Sequence, residues 1–423
     1  MAAESLPSAL PSALPLAMPL ALPLAVPLAV SYRGAVVEAV HYGHVAAALT
    51  SGEVVAALAG RYEVTVLDSL SKQIHGDDTE ASPLYRRVRG HCRFVHGHVE
   101  DTAALADALE GASYVIHLAA ETGTGQSMYE IGRYARANIQ GTAELIELLT
   151  KNRAELRVKK VVLASSRSIY GEGMYRCAEH GVVYPGPRSE DDLREGFFEV
   201  RCPVCGTPAV LVSTTEECVP SPASFYAWSK LAQEQMLRLL LPPLGIPFTI
   251  FRYQNVYGAG QSLNNPYTGI LSIFSKRMVA DQPINIFEDG AESRDFVHVR
   301  DVARLTASVL DNPMSDGATI NLGSGVGVTV LQVAEMLRAL YGSRSEISVS
   351  GDFRIGDIRH NVADVSRARE LCGFTPEVSL ETGMGELAEW AAQEIREGAG
   401  GADRYEESLA EMKKMGLMKD GRN

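Results

Sequence analysis

Three side chains suited to acid–base chemistry, Ser166, Tyr226 and Lys230, occur in two stretches, LASSRSIYG (163–171) and SPASFYAWSKLAQEQM (221–236). The second stretch reads as a loop running into a helix, because Lys230, Leu231, Gln233 and Met236 follow at helical spacing. On that helix Tyr226 and Lys230 are four apart and share a face. A lysine held charged there favours phenolate, since a nearby positive charge stabilises the ionised phenol. The tyrosine then becomes a usable base near neutral pH, which an unperturbed phenol (pKa about 10) is not. A surface helix can carry Tyr-x-x-x-Lys by accident, so the surrounding chain has to decide.

The elements needed to hold these groups are legible. GAVVEAV (34–40) suits a first buried strand, residues 53–59 the end of a first helix, and YEVTVLD (62–68) a second strand ending on Asp68. HGHVED (96–101) ends another strand, and YVIHLAAETG (114–123) is a fully buried strand followed by small residues. The 423 residues allow two or three domains and a large core. A hydrophobic fraction of 46% and a charged fraction of 22% are those of a soluble globular protein. A net charge of -13 and a pI near 5.3 argue against a nucleic-acid surface and leave room for a local basic pocket. Six cysteines are too few for a disulfide scaffold and fit a reducing cytosol.

Residues 1–33 have another character. Prolines at 7, 11, 15, 19, 23 and 27 are separated by Leu, Ala, Val and Ser, with no charge from Ser5 to Tyr32. The run is long enough to span a bilayer. A proline in every helical turn, however, removes hydrogen bonds and clashes with the turn before it. A secretory signal would also carry a positive amino end, and the early charged side chain is Glu4. The segment reads as a low-complexity extended or disordered tail, without membrane association.

Between Ser166 and Tyr226, residues 172–220 read as an insertion. It carries Cys177-Ala-Glu-His180 and then Cys202-Pro-Val-Cys205-Gly206. Two ligand pairs, each with two residues between, have the spacing of a tetrahedral structural zinc site. Three thiolates and one imidazole would close the coordination sphere. Cys218 and Cys372 have no place in this pattern and read as ordinary small residues.

VTVLD (64–68), VIHLAA (115–120), SSRSIYG (165–171), YAWSK (226–230), RYQNVYG (252–258), SRDFVHVRDVA (293–303) and NLGSG (321–325) stand in one order. Together they resemble the extended short-chain dehydrogenase/reductase family, in particular its nucleotide-sugar epimerases and dehydratases, over roughly residues 54–395. The resemblance implies an α/β fold: a doubly wound parallel sheet over 34–252 that binds NAD, and a smaller α/β sugar-nucleotide domain over 253–395. Some strands of the smaller domain would return to the sheet, and 396–423 is left as a loose charged tail. It assigns NAD contacts to Asp68, Val99, Ala119, Ala120, Asn138, Tyr226 and Lys230. Asp68 would accept from ribose hydroxyls and repel the extra phosphate of NADP. His98 stands where the family has Asp, and Asn138 could equally be a plain helical polar residue. Substrate contacts fall on Asn255, Arg294, Arg354 and Asp357, with arginine gripping phosphate through its planar fork. QSLNNPYTGILSIFSKRM (261–278) resembles a substrate-cap loop and helix. Thr329 and Gln332 form a capping box.

The implied activity is 4-epimerisation of a nucleoside-diphosphate hexose through a 4-keto intermediate. Tyr226 is the base, Ser166 binds the sugar oxygen, and Lys230 binds the nicotinamide ribose. Dehydratases and decarboxylases of the family carry acidic residues after the active serine, where this chain has Arg167 and Ser168. The insertion and the QSLNNPYTG loop resemble a bacterial dTDP-sugar group, which favours a dTDP-hexose such as dTDP-L-rhamnose over the broader UDP-glucose alternative. A cytoplasmic homodimer is expected. One feature departs from the family. Its Gly-x-x-Gly-x-x-Gly cofactor turn is absent: His44, Ala47 and Thr50, or Gly43, Ala46 and Leu49, stand at those positions. The abrupt join between a repetitive tail and a well-kept family sequence favours a frameshift or mis-set start. A non-catalytic sugar-nucleotide-binding remnant is the competing reading.

Overall fold

The computed structural model describes residues 34–38, 41–42, 45–76, 78–80, 82–263, 269–398 and 405–421, with side chains from 49 onward. The tail expected over 1–33, Gly43 and His44, and residues 264–268 of the substrate loop lie outside the described residues.

Seven strands build the central sheet: β1 (Gly34–Glu38), β2 (Glu63–Asp68), β3 (Arg93–His96), β4 (Ala112–His117), β5 (Lys160–Ser166), β6 (Phe248–Tyr253) and β7 (Thr319–Leu322). Their spatial order is β7-β6-β5-β4-β1-β2-β3, and every pairing is parallel. This is the doubly wound arrangement, and the switch in strand order lies between β1 and β4. The central strands β4 and β5 are buried nearly throughout because both faces are covered, while the edge strand β3 is only partly buried. In β5, Val162 and Ala164 enter one core and Val161 and Leu163 the other. The first core takes Val54, Val55 and Leu58 from α1 (Val45–Leu58) and Val302, Ala303 and Leu305 from helix Val299–Ser308. The second takes Leu105 from Thr102–Leu109, Leu145 and Leu149 from Gly141–Lys151, and Leu237 from α2 (Phe225–Leu240). The parallel strands run in one direction, so Asp68, His117, Ser166 and Tyr253 end on the same edge of the sheet.

A third core lies in the carboxy-terminal half, where Leu271, Phe274, Val333, Leu337, Met384 and Leu387 come together from three helices. The capping box at Thr329 and Gln332 opens one of them. β7 returns from this half to the main sheet. Residues 175–211 hold a small antiparallel sheet of Tyr175–Cys177, Gly181–Val183 and Val210–Leu211.

The carboxy-terminal expectation needs correction. Residues 405–421 are not a loose tail. Helix α3 (Tyr405–Lys414) buries Tyr405, Ser408 and Met412, and Met418–Lys419 pairs antiparallel with Phe353–Arg354. Two apolar anchors, Tyr405 and Met412, spaced along a charged segment, and a strand partner over sixty residues away, leave little local signature. Among the described residues no helix is long and apolar enough to cross a membrane.

Candidate active site

Ser166 is the last residue of β5, and its hydroxyl caps the following turn by accepting from the Ser168 amide at 3.2 Å. Tyr226 sits in the first turn of α2, which is capped by Ser224 accepting from the Ala227 amide at 3.2 Å. The Tyr226 amide donates to Ser127 Oγ at 3.0 Å, which ties the helix start to the loop after β4. One turn on, Lys230 Nζ donates to the Ala164 carbonyl at 2.8 Å, against β5. A buried polar frame fixes this packing. Arg252 of β6 holds the Glu234 carboxylate with both Nε (3.0 Å) and Nη2 (2.8 Å), Ser165 donates to the same carboxylate at 2.5 Å, and Tyr170 accepts from Arg252 at 3.0 Å. The expected trio is therefore brought together, and all three side chains are nearly buried.

Burial pushes the Lys230 ammonium down to about 7, with Glu234 opposing, which leaves the group poised between its charged and neutral forms at neutral pH. Burial likewise pushes the Tyr226 phenol up to about 12, against a hydrogen bond from Ser166 and the charge of Arg167. A sequence reading grants lysine full solvation, whereas here its stem and head are enclosed.

Two cavities meet at these residues. The smaller, of about 50 Å³, is lined by Ala120, Thr122, Lys230, Tyr226 and Gln254. Both amide atoms of Gln254 and Oγ1 of Thr122 are buried without hydrogen-bond partners, so this cavity is built to receive polar groups. The larger, of about 290 Å³, is lined by Ser166, Tyr226, Asn255, Arg294, Arg354 and Asp357 among others. Arg354 grips Asp357 with Nε at 3.0 Å and Nη2 at 2.6 Å, and Arg294 stands 3.7 Å from the same carboxylate. These cations hold Asp357 down at about 2 despite its burial. Burial pushes Glu292, beside Asp357 and paired with Arg294 at 3.3 Å, well above the carboxylate range. Asn255 Oδ1 is buried and unpaired.

The other expected cofactor residues scatter. Asp68 lies nearly buried at the end of β2, its Oδ1 accepting from the Leu70 amide at 2.7 Å. Ala120 lines the Lys230 cavity. Val99 and Ala119 point their side chains into the second core. Asn138 is fully engaged within the protein: Oδ1 accepts from the Glu121 amide at 2.7 Å, and Nδ2 donates to the Glu121 carbonyl (3.0 Å) and Ser229 (2.8 Å). It joins the loop after β4 to α2.

The chain matches the NAD dependent epimerase/dehydratase family over residues 50–190 and 202–323. It is 38% identical to a dTDP-L-rhamnose 4-epimerase of Burkholderia thailandensis over 81% of this chain and 91% of that one. It is 30% identical to a UDP-glucuronate 4-epimerase of Thermodesulfobacterium geofontis over 67% and 73%. The fold superposes on the crystal structure of UDP-glucose 4-epimerase from Thermotoga maritima with UDP-glucose. The TM-score is 0.66 at 27% identity, over 86% of this chain and 99% of that one. The chain belongs to the NAD dependent epimerase/dehydratase family. The family match starts at residue 50, beyond most of the positions where the glycine turn is expected.

Within this family architecture the motif residues divide into two kinds. Asp295 of SRDFVHVRDVA is fully buried and accepts from the amides of Ser324 (2.7 Å), Gly325 (3.0 Å) and Ala363 (3.2 Å). A Cβ at Gly323 would come within 2.6 Å of that carboxylate, so NLGSG is a close-approach turn. These positions brace the site, while Ser166, Tyr226, Asn255 and Arg294 face its cavity. Sequence reasoning missed Thr124 and Gln126 in the loop after β4 and Tyr405 and Met412 of α3, all of which line the larger cavity. The small residues after HLAA were the available signal for the first pair.

The insertion gathers Cys177, His180, Cys202 and Cys205 with their ligand atoms within 4.8 Å of one another. Sγ of Cys177 lies 3.6 Å from Sγ of Cys205 and 3.5 Å from Nδ1 of His180, and Cys202 Sγ is 3.7 Å from that nitrogen. A tetrahedral zinc ion requires roughly 3.8 Å between sulfurs and roughly 3.6 Å between sulfur and nitrogen. The hydrogen bond from His180 draws the Cys177 thiol down to about 6, toward the ligating form.

Proposed function

We propose that the chain is an NAD-dependent nucleotide-sugar 4-epimerase, with a dTDP-hexose such as dTDP-L-rhamnose favoured and UDP-glucose as the alternative. The observation carrying this is the approach of Ser166, Tyr226 and Lys230 where two cavities meet, the larger of them lined also by Arg294, Arg354 and Asp357. Acid–base groups and arginines around one cavity suit a hexose joined to a diphosphate. The relative with 38% identity favours the dTDP-sugar.

Tyr226 takes the proton of the sugar 4-hydroxyl and later returns it. Ser166 shares a hydrogen bond with that oxygen and with the phenol. The arginines hold the diphosphate, while Asn255 turns its unpaired carbonyl to the substrate. The unpaired amide of Gln254 and hydroxyl of Thr122 fit a nicotinamide and its ribose beside Lys230. Asp68 fits the adenosine ribose. When bound, NAD supplies a reversible hydride acceptor. The glycine turn that would let its pyrophosphate approach the backbone is missing from the sequence, which gives the non-catalytic reading its one support. The Cys177, His180, Cys202 and Cys205 cluster holds a structural zinc ion, closed to substrate because all four positions are filled by protein.

The test is direct. The protein with added NAD is incubated with dTDP-L-rhamnose and with UDP-glucose, and the sugar ring protons are followed by NMR. A new resonance set with inverted C4 coupling supports the proposal, and its absence with both substrates at saturating NAD rejects it.

A further inference from the structure

Arg167 follows Ser166 directly and opens the turn Arg167–Tyr170. Its side chain lines the larger cavity together with Ser166 and Tyr226. Nη1 is buried without a hydrogen-bond partner, and the guanidinium forms no ion pair among the described residues. That is unusual company for an arginine. The enclosed arginines nearby are satisfied, Arg252 by Glu234 and Arg188 by Glu288 through both terminal nitrogens at 2.8 Å, and the more exposed Arg354 is paired with Asp357. A charge taken out of water without a partner costs several kcal/mol, so such groups are paired or meet a ligand.

We propose that Arg167 is a sugar-binding residue: it donates to an oxygen of the hexose at or beside the reacting carbon, and not to the diphosphate. This rests on the nucleotide-sugar reading above. Its covalent link to Ser166 places its backbone beside the catalytic serine, and in the same cavity its guanidinium feels the charges of Tyr226, Arg294 and Asp357, so it stands between the reacting groups and the arginines assigned to the diphosphate. Arginine is a donor only, so the group it meets must be an acceptor, either a hydroxyl or a keto oxygen. Burial and Arg294 push its guanidinium down to about 10, with Asp357 and Tyr226 opposing, which leaves it charged at neutral pH.

Titration calorimetry separates the two ends of the ligand. Wild type, Arg167→Met, Arg167→Lys and Arg294→Met are titrated with dTDP and dTDP-L-rhamnose, and in parallel with UDP and UDP-glucose. Arg167→Met should leave nucleoside diphosphate affinity within about twofold and weaken the nucleotide sugar roughly 10- to 100-fold, the worth of a charged hydrogen bond. Arg167→Lys should recover part of that loss, and serves alone if the methionine variant does not fold. Arg294→Met should weaken both ligands of a pair alike. Equal loss of diphosphate and nucleotide sugar in the Arg167 variants, or no loss of either, overturns the assignment. Wild type that binds none of the four ligands overturns the functional reading itself, and the assignment with it.

Discussion

Replacing Cys202 with serine tests whether the Cys177, His180, Cys202 and Cys205 cluster holds a zinc ion and what that ion would hold together. The module around it has six buried side chains in its core, Tyr175, Cys177, Val183, Val200, Cys202 and Ala209. Its sheet has strands of 3, 3 and 2 residues, too short to persist alone. An ion held by this cluster would link Cys177 to Cys205 across 28 positions. Closing a loop of that length removes roughly 3–4 kcal/mol of chain entropy from the open state. At 1.4 kcal/mol per tenfold, loss of the ion should raise local opening by roughly 10²- to 10³-fold. The readout is hydrogen exchange at amides bonded inside the module, Cys202 to the Thr207 carbonyl and Ala209 to the Val200 carbonyl, at 2.8 and 2.9 Å. Protection there should fall by that factor in Cys202→Ser, while amides of β4 and β5 stay protected. Elemental analysis should show about one zinc per wild-type chain and almost none in the variant. Wild type that is metal-free yet fully protected at those amides would refute the staple and the loop-closure reasoning together.

Tyr226→Phe keeps the ring and removes the base, so epimerisation should drop by several orders of magnitude with unchanged melting temperature and zinc content; turnover equal to wild type would remove Tyr226 from the mechanism. A chain ending at Gly398 loses the α3 wall of the larger cavity, and its nucleotide-sugar affinity should fall at least tenfold by calorimetry, with the β1–β7 sheet intact by circular dichroism. For Asp357, a carboxyl with folded value about 2 and ordinary value 3.8 adds stability that is fully present above pH 4 and lost as pH falls toward 2. That is about 2 kcal/mol. Urea midpoints measured between pH 5 and 2.5 should show this acid limb in wild type and a shallower one in Asp357→Asn; parallel curves would discount the ion pair.

The gathering of Ser166, Tyr226 and Lys230 was legible because it rests on local spacing: a strand end, then a helix with tyrosine and lysine one turn apart. The gathering of Cys177, His180, Cys202 and Cys205 was legible for the same reason, two pairs with fixed intervals. What stayed hidden depends on partners far along the chain. Arg188 of the insertion reaches Glu172, Glu288 and the carbonyl of Asp357, and Arg359 reaches Glu199 and Asp289. This network clamps the insertion to the substrate wall, and no interval in the sequence announces it. Asn138 looked like a cofactor contact or a plain helical amide. It became a brace only when Glu121 and Ser229 were seen beside it. How far burial lowers the Lys230 ammonium was not legible in the spacing, because burial is a property of the packed structure.

The cofactor end shows that the needs of the fold and the needs of the ligand differ in kind. The sheet requires an extended backbone at β1, and Ala35, Val36 and Val37 pair in register with β2 and β4. The first core requires Val54, Val55 and Leu58 from α1. Neither demand involves glycine. The pyrophosphate of NAD requires something else: backbone amides at the start of the first helix, with no Cβ in the way. A sequence can therefore meet every packing condition of this architecture while failing the one condition the cofactor imposes. Each charge-assisted hydrogen bond lost at that turn is on the order of 1.5–3 kcal/mol. The chain as it stands is then expected to purify largely without NAD, and a chimera carrying Gly-x-x-Gly-x-x-Gly before Val54 should gain NAD without any change in melting temperature beyond the cofactor's own contribution. Stoichiometric NAD in the unmodified chain, measured by absorbance after denaturation, would show that residues 43–50 reach the phosphates by a different backbone path.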